Sequence, residues 1–267
     1  PRGAGGALPS NKVGTAVALA DKLDVLAGIF AIGQKPTGTR DPFGLRRAAI
    51  GILRILIEQR LDLDLRALVE RAVALQPVAS PTAASEVEAY IVERLRAYFL
   101  DAKSGEDASV PTTTIVGATT EMFEAVHAAA PCSPVDFGLR LTAVNRFLQR
   151  PEAVSLTAAN KRIANILKKS ETAATSRVDP TALIEPAEQA LYAAMVAIRE
   201  PVAAAVREQR YANALESLAT LRPEVDSFFD AVMVNDPDPA RRANRLALLG
   251  ELHGLFAGIA DLSRLPG

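Results

Sequence analysis

A chain of 267 residues with 49% apolar and 23% charged side chains can build one large domain or two to three small ones, and its composition is not that of a disordered chain. Its 30 Lys and Arg against 31 Asp and Glu leave a formal charge of −1 and a pI near 6.3, which excludes a global basic field; contact with a polyanion must come from local patches. One cysteine, Cys132, excludes an internal disulfide and suits a reducing compartment. No apolar run of about 18 residues marks a membrane span, and residues 1–10 lack a secretory pattern. The opening Pro1-Arg2-Gly3, without an initiator Met, reads as part of something longer.

Residues 11–32 carry Val13, Val17, Ala20, Leu23, Ala27 and Phe30 at helical spacing, with Ser10 as the expected N-cap. A loop over Gly33–Arg40 leads to Asp41 as cap and Pro42 as first helical residue. That helix is expected to run to about Arg60, with Phe43, Ile50, Leu53, Ile57 and Leu61 inward. A short helix follows from Asp64 to about Gln76, then a linker over Pro77–Pro81. Ser85 and Glu88 have capping-box spacing and open a helix to about Lys103. Residues 104–118 are rich in Gly, Pro and Thr and read as loop. Helices are expected at 119–130, 134–149 and from Pro151 to about Ser170, then a polar linker at 171–179. The last helices cover roughly 181–209, 210–221, 223–235 and 238–262. Strand-like alternation is absent, so the fold class is all-α, with bundle-like packing.

The chemistry inventory is sparse. His127 and His253 lack metal-ligand spacing to any Cys, Asp or Glu, and no phosphate loop, nucleophile elbow or dinucleotide fingerprint occurs. Cys132 reads as a structural thiol. Asp62/Asp64 and Asp236/Asp238 flank helix starts, where negative charge is favoured by the dipole.

Three basic clusters remain. In Asn160–Lys169, about 100° per residue puts Lys161, Arg162, Asn165, Lys168 and Lys169 on one side and Ala159, Ile163, Ile166 and Leu167 on the other. It is either a solvated face at a helix C-terminus or a phosphate-tracking surface. Arg241, Arg242, Asn244 and Arg245 open the last helix, where cations oppose the dipole. Arg245 is expected to pair locally with Asp236 or Asp238, leaving Arg241 and Arg242 freer. Arg46, Arg47 and Arg54 lie on the helix after Asp41-Pro42, Arg47 and Arg54 sharing a face. Val225, Phe228, Phe229, Val232 and Met233 read as core.

Four blocks carry a resemblance: SNKVGTAVALADKLDVLAGIF (Ser10–Phe30), KPTGTRDPFGLRRAAIGILRILIE (Lys35–Glu58), LTAANKRIANILKK (Leu156–Lys169) and the stretch Tyr211–Leu265 with VDSFFDAVMV. Together they resemble the C-terminal portion of the β subunit of bacterial two-subunit glycyl-tRNA synthetase. Residues 104–130 match poorly. The resemblance implies a degenerate HD-type helical part (1–78), a helical connecting region (79–176) and a DALR-like anticodon-binding bundle (177–267).

It further implies binding of tRNA(Gly), including its anticodon arm, in the cytoplasm. An α subunit would catalyse glycylation and hold ATP and Mg, with no cofactor or catalytic residue in this chain and neither DNA nor membrane as partner. Arg207, Arg210, Arg241, Arg242 and Asn244 then become candidates for the anticodon arm, and Lys161, Arg162, Asn165, Lys168 and Lys169 for tRNA backbone. Arg46, Arg47 and Arg54 are assigned to the acceptor arm or the α subunit. Asp21 stands where HD proteins carry a metal-binding Asp, but without partner histidines it is not expected to bind metal. The alternatives are an HD-type nucleotide phosphohydrolase remnant and a purely structural scaffold for a partner subunit.

Overall fold

The computed structural model describes residues 6–36, 41–100, 115–170 and 177–266. Among these, eleven α-helices and no strand occur, as the all-α reading expects. The expected loop at 104–118 and linker at 171–179 lie largely outside the described residues. The chain forms two compact units, Pro1–Thr120 with Pro131–Gly138, and Glu121–Ala130 with Leu139–Gly267.

The first unit packs four helices: α1 (Lys12–Ala31), α2 (Leu45–Glu58), α3 (Leu65–Ala74) and α4 (Ala83–Leu100). Helix α1 starts on Asn11, not Ser10, because the Asn11 side chain accepts the Gly14 amide at 2.8 Å. Its inward face is Thr15, Leu19, Leu23, Leu26, Ala27 and Phe30. Val13 and Val17, expected inside, are 74% and 63% exposed, and Ala20 is exposed. A stripe continued backwards from Phe30 at steps of three and four passes equally well through Leu19 and Thr15, so spacing alone could not choose.

Helix α2 begins at Leu45, not Pro42. Asp41 does cap it, but from four residues upstream: its carboxylate accepts Leu45 N–H at 2.7 Å and Arg46 N–H at 3.0 Å. The turn between needs Gly44 at φ 69°, a conformation glycine adopts without Cβ strain. Every residue from Gly51 to Leu56 is buried, so this stretch of the helix is enclosed all round rather than along one stripe; Phe43 is exposed. Helix α4 begins at Ala83, before the expected capping box, and Ser85 Oγ instead donates to Thr82 O at 2.9 Å.

The second unit holds α5 (Thr120–Ala128, from Glu121), α6 (Pro134–Phe147, from Leu139), α7 (Pro151–Lys168), α8 (Pro186–Arg207), α9 (Tyr211–Ala219), α10 (Arg222–Ala231) and α11 (Pro239–Ala257). Helix α7 packs on α9, α10 and α11, and α8 packs on α9, α10 and α11. Phe147, Ile163, Leu191, Phe228, Leu248 and Phe256 are among its fully enclosed side chains. Val225 and Val232 are buried as expected, whereas Met233 is 63% exposed. Asp179 caps a single 3₁₀ turn, Pro180–Ala182, and the long helix starts later on a Glu185/Glu188 capping box.

These units cut the chain differently from the expected parts 1–78, 79–176 and 177–267. Helix α4, past the first break, buries Val87, Ile91, Leu95 and Phe99 in the first unit. Helix α7, before the second, buries Leu156 and Ile163 in the second. Apolar stripes, not the proline-rich turn at Pro77–Pro81, set the boundary.

A buried ionic cluster lies inside the second unit. Arg245, 4% exposed, bonds Glu188, Asp236 at 2.7 Å and the Met233 carbonyl at 2.8 Å. Removing Glu188 takes one of two carboxylates from the buried guanidinium and the acceptor from the Ile184 and Glu185 amides. Glu188→Ala is therefore expected to cost about 3–5 kcal/mol in urea unfolding. Asp236 is held below the ordinary carboxylate range, chiefly by the Asp238 amide and also by Arg245 and Arg241. Its stabilising contribution is present above the unfolded value and lost as pH falls through the lower folded value. Asp236→Asn is expected to flatten the acid limb of a stability–pH curve below about pH 4.

Candidate nucleic-acid interface

Helix α7 opens with Pro151 at its first position, where the missing amide costs nothing. Leu156, Ala159 and Ile163 are buried, and Lys161, Arg162, Asn165, Lys168 and Lys169 are exposed, as the periodicity expects. Asn160, at the edge of the block, is buried and donates to Leu156 O at 2.9 Å. The Arg162 guanidinium lies 4.3 Å from the ring centre of half-buried Phe229 on α10.

Helix α11 starts on Asp238, whose carboxylate accepts the Ala240 amide at 2.8 Å and the Arg241 amide at 3.4 Å. That negative charge offsets the cations that follow. Arg245 pairs with Asp236 as expected, and with Glu188, which sequence spacing did not suggest. Asn244 must be withdrawn as an RNA contact. It is buried, its Oδ1 accepts Asp179 N–H at 2.8 Å and its Nδ2 donates to Asp179 O at 3.0 Å. Arg241 stays half exposed, 3.5 Å from Asp238.

Two of the sequence clusters converge. A cleft of about 770 Å³ in the second unit is lined by Lys161, Arg162, Asn165 and Lys169 from α7 and by Arg242 from α11. Asn235, Ser170 and an apolar floor of Ala158, Ile166 and Leu246 complete it. Among the described residues no carboxylate lines it. Arg242 donates to the Asp236 carbonyl at 3.4 Å, so a neutral group, not an acid, holds its head. Four cations facing one cleft suit a phosphate-bearing ligand. Lys168 lies on the same helix but does not line the cleft.

Other candidates lie elsewhere. Arg207 is 2.7 Å from Glu200 and Arg210 is 2.6 Å from Glu208, exposed pairs of small energetic weight. In the first unit Arg54 must be withdrawn: its buried guanidinium is bound by Glu58 at 2.7 Å and by the Gly6 carbonyl at 3.0 Å. Arg47 is exposed, with its guanidinium beside Gly44, and Arg46 is half-buried, so this trio presents no shared face. Asp21 is exposed, 3.8 Å from Lys22. Among the described residues no group of three or more His, Cys, Asp or Glu is placed to hold a metal. Cys132 is exposed rather than enclosed; its carbonyl accepts the Leu65 amide at 2.9 Å. No helix of the described residues is long and apolar enough to cross a membrane.

Sequence reasoning missed Asn235 and Ser170. A signal for Asn235 was present: it precedes Asp236-Pro237-Asp238-Pro239, and each proline keeps the residue before it out of helical backbone. The expected helix to 235 stops earlier, at Ala231, where Val232 takes extended backbone, and exposed Asn235 lies in the bend that follows.

Two family models match the chain. Residues 1–111 match the glycyl-tRNA synthetase beta subunit, and residues 156–262 match the DALR anticodon binding domain. Curated proteins named glycine–tRNA ligase beta subunit are similar over 99% of the chain. Those from Pseudomonas aeruginosa (strain LESB58), Ectopseudomonas mendocina (strain ymp) and Haemophilus influenzae (strain ATCC 51907) are 49%, 47% and 45% identical. The chain spans 37% of the length of each of these relatives.

The division between cleft cations and structural ones is checkable with heparin as a general polyanion. Lys161→Ala and Arg242→Ala are expected to elute from heparin at lower salt than the parent. Arg54→Ala and Asn244→Ala are expected to lower unfolding stability by about 1–3 kcal/mol while leaving elution unchanged.

Proposed function

Because the chain belongs to the glycyl-tRNA synthetase beta-subunit family, we propose that it is the tRNA-binding part of such a subunit. In this reading it grips tRNA(Gly), including the anticodon arm, while a separate α subunit performs ATP-dependent glycylation. The observation that carries the reading is the cleft. Its described lining residues run from Ala158 to Leu246, all inside the stretch matched by the anticodon-binding model, and among them are four cations and no carboxylate. A chain of net charge −1 holds RNA by such concentration of charge, not by a global field.

Phosphates carry most of the salt-sensitive affinity in this mechanism, and unpaired bases carry the discrimination. Lys161, Lys169 and Arg242 sit on two different elements of the second unit, so a backbone crossing the cleft meets positive charge on both walls. Lys168, Arg241, Arg207 and Arg210 stand outside the cleft and contribute at its periphery. The α subunit brings the nucleotide and metal chemistry, and the place of action is the cytoplasm.

Binding of glycine-specific tRNA and of a mismatched tRNA at several salt concentrations tests this. The parent is expected to prefer tRNA(Gly) and to weaken steeply with salt, with the log–log slope falling by about 0.7–0.9 per phosphate contact removed. Reversing Lys161, Lys169 and Arg242 together to Glu is expected to weaken both tRNAs at least tenfold and flatten that slope. Unchanged affinity in this variant would falsify the reading, and so would glycyl-tRNA formed by the chain without an α subunit.

A further inference from the structure

We propose that Glu188, a buried acid outside the cleft, is a positioning residue for polyanion binding, acting through Arg245 on the turn that anchors Arg242; this rests on the RNA-binding reading above. Glu188 stands in the first turn of α8 and is 2% exposed. Among the described residues that line the cleft, none comes from α8. Both oxygens of the Glu188 carboxylate are engaged. One accepts the Ile184 and Glu185 amides, each at 3.0 Å, and the other accepts Arg245 Nε. Arg245 in turn donates to the Asp236 carboxylate at 2.7 Å and to the Met233 carbonyl at 2.8 Å.

The turn itself shows why that anchor matters. Along 232–236 burial alternates: Val232, Val234 and Asp236 are buried, while Met233 and Asn235 are exposed. The two valines are held by apolar contact. Asp236 is an acid turned inward, and such a group stays buried only against a partner charge, which Arg245 supplies. Its other oxygen accepts the Asp238 amide at 2.8 Å, and Asp238 caps α11 through the Ala240 and Arg241 amides. The Asp236 carbonyl accepts Arg242, which lines the cleft. Order thus passes by direct contact from Glu188 to Arg245, to Asp236 and to Arg242. A side chain that grips a ligand needs such support behind it to hold its place.

Charge and position make opposite demands here. Glu188→Gln removes one negative charge from a unit that meets a polyanion, and charge alone would tighten binding. The glutamine can keep its oxygen toward the Ile184 and Glu185 amides. Its NH2 then faces the Arg245 guanidinium, donor against donor. Arg245 loses an acceptor, its hold on Asp236 slackens, and the support of Arg242 goes with it. Asp236→Asn has the same two-sided character, with one acid fewer and one anchor weaker. Weaker binding in these variants is therefore the signature of position and not of charge.

The test titrates tRNA(Gly) into the whole chain at several salt concentrations, with each variant confirmed as folded by circular dichroism under the same conditions. Arg242→Ala is expected to weaken binding about fivefold and to lower the log–log salt slope by about 0.7–0.9. Glu188→Gln and Asp236→Asn are expected to weaken it about threefold or more, against the sign of the charge change. Glu188→Gln combined with Arg242→Ala is expected to stay within about twofold of Arg242→Ala alone, because both act on one contact. Asn244→Ala, which loosens the same helix by releasing Asp179, is expected to bind like the parent. If Glu188→Gln binds as tightly as the parent or tighter, or if its effect multiplies with that of Arg242→Ala, the positioning role is refuted and the cleft reading stands. Asn244→Ala weakening binding as much as Glu188→Gln refutes it too, since general loosening would then explain both. If Glu188→Gln does not fold, Asp236→Asn carries the same comparison. If no tRNA binds the parent, both readings fall.

Discussion

Arg245 carries a full positive charge into the interior of the second unit, and that charge organises the surface above it. Alone there it would cost far more than the unit could offset, so every donor must find an acceptor. Glu188 comes from the first turn of α8, Asp236 from the turn before α11, and the Met233 carbonyl from the chain leaving α10. One side chain thus ties the chain between α10 and α11 to the start of α8, 57 positions away from it in sequence. The segment 232–238 is held by these bonds and by the Asp238 amide donating to Asp236 at 2.8 Å. Asn235 projects from that segment, and Arg242 leans on the Asp236 carbonyl. The ion cluster is not a contact with RNA; it is the reason the proposed contacts stand where they do.

The same logic separates two kinds of basic residue. Arg54 and Arg245 are consumed by carboxylates and carbonyls, and their charge is spent inside the fold. Among the described residues lining the cleft, Lys161, Arg162 and Lys169 have no acid beside them. Four cations sharing a small volume repel one another, and in an unliganded protein nothing about stability requires that arrangement. The apolar floor of Ala158, Ile166 and Leu246 holds α7 and α11 close enough for the cluster to form. Packing therefore sets the charge density, and a polyanion would relieve the repulsion.

The first unit has a different character. Its most enclosed helix is α2, through Ile52, Leu53, Ile55 and Leu56, with α1 and α4 against it and α3 packed on those two. Arg54 and Gln59 extend this order to the preceding strap, donating to the carbonyls of Gly6 and Pro9. The DPFGLRR motif is spent mainly on building the start of α2: Asp41 caps, Gly44 turns and Leu45 is buried. Of its two arginines, Arg47 remains at the surface.

Local chemistry by itself determined the all-α class, the starts at Asp64, Pro151 and Asp238, and the two-sided character of α7. Caps, prolines and apolar spacing act within a few residues, and a helix obeys them wherever it packs. The sequence also carried the family resemblance, through motifs that survive in order along the chain. Tertiary structure decided which face of α1 is inner, because Val13 and Leu19 are equally apolar and only neighbouring helices distinguish them. It decided that Arg54 and Asn244 are internal while Arg162 and Arg242 are not, since a polar residue's role depends on what lies opposite it. It also drew Asn235, Arg242 and the α7 cations into one cleft, which no spacing rule could reveal: residues some 70 positions apart meet only because α7 and α11 bury their apolar stripes against each other.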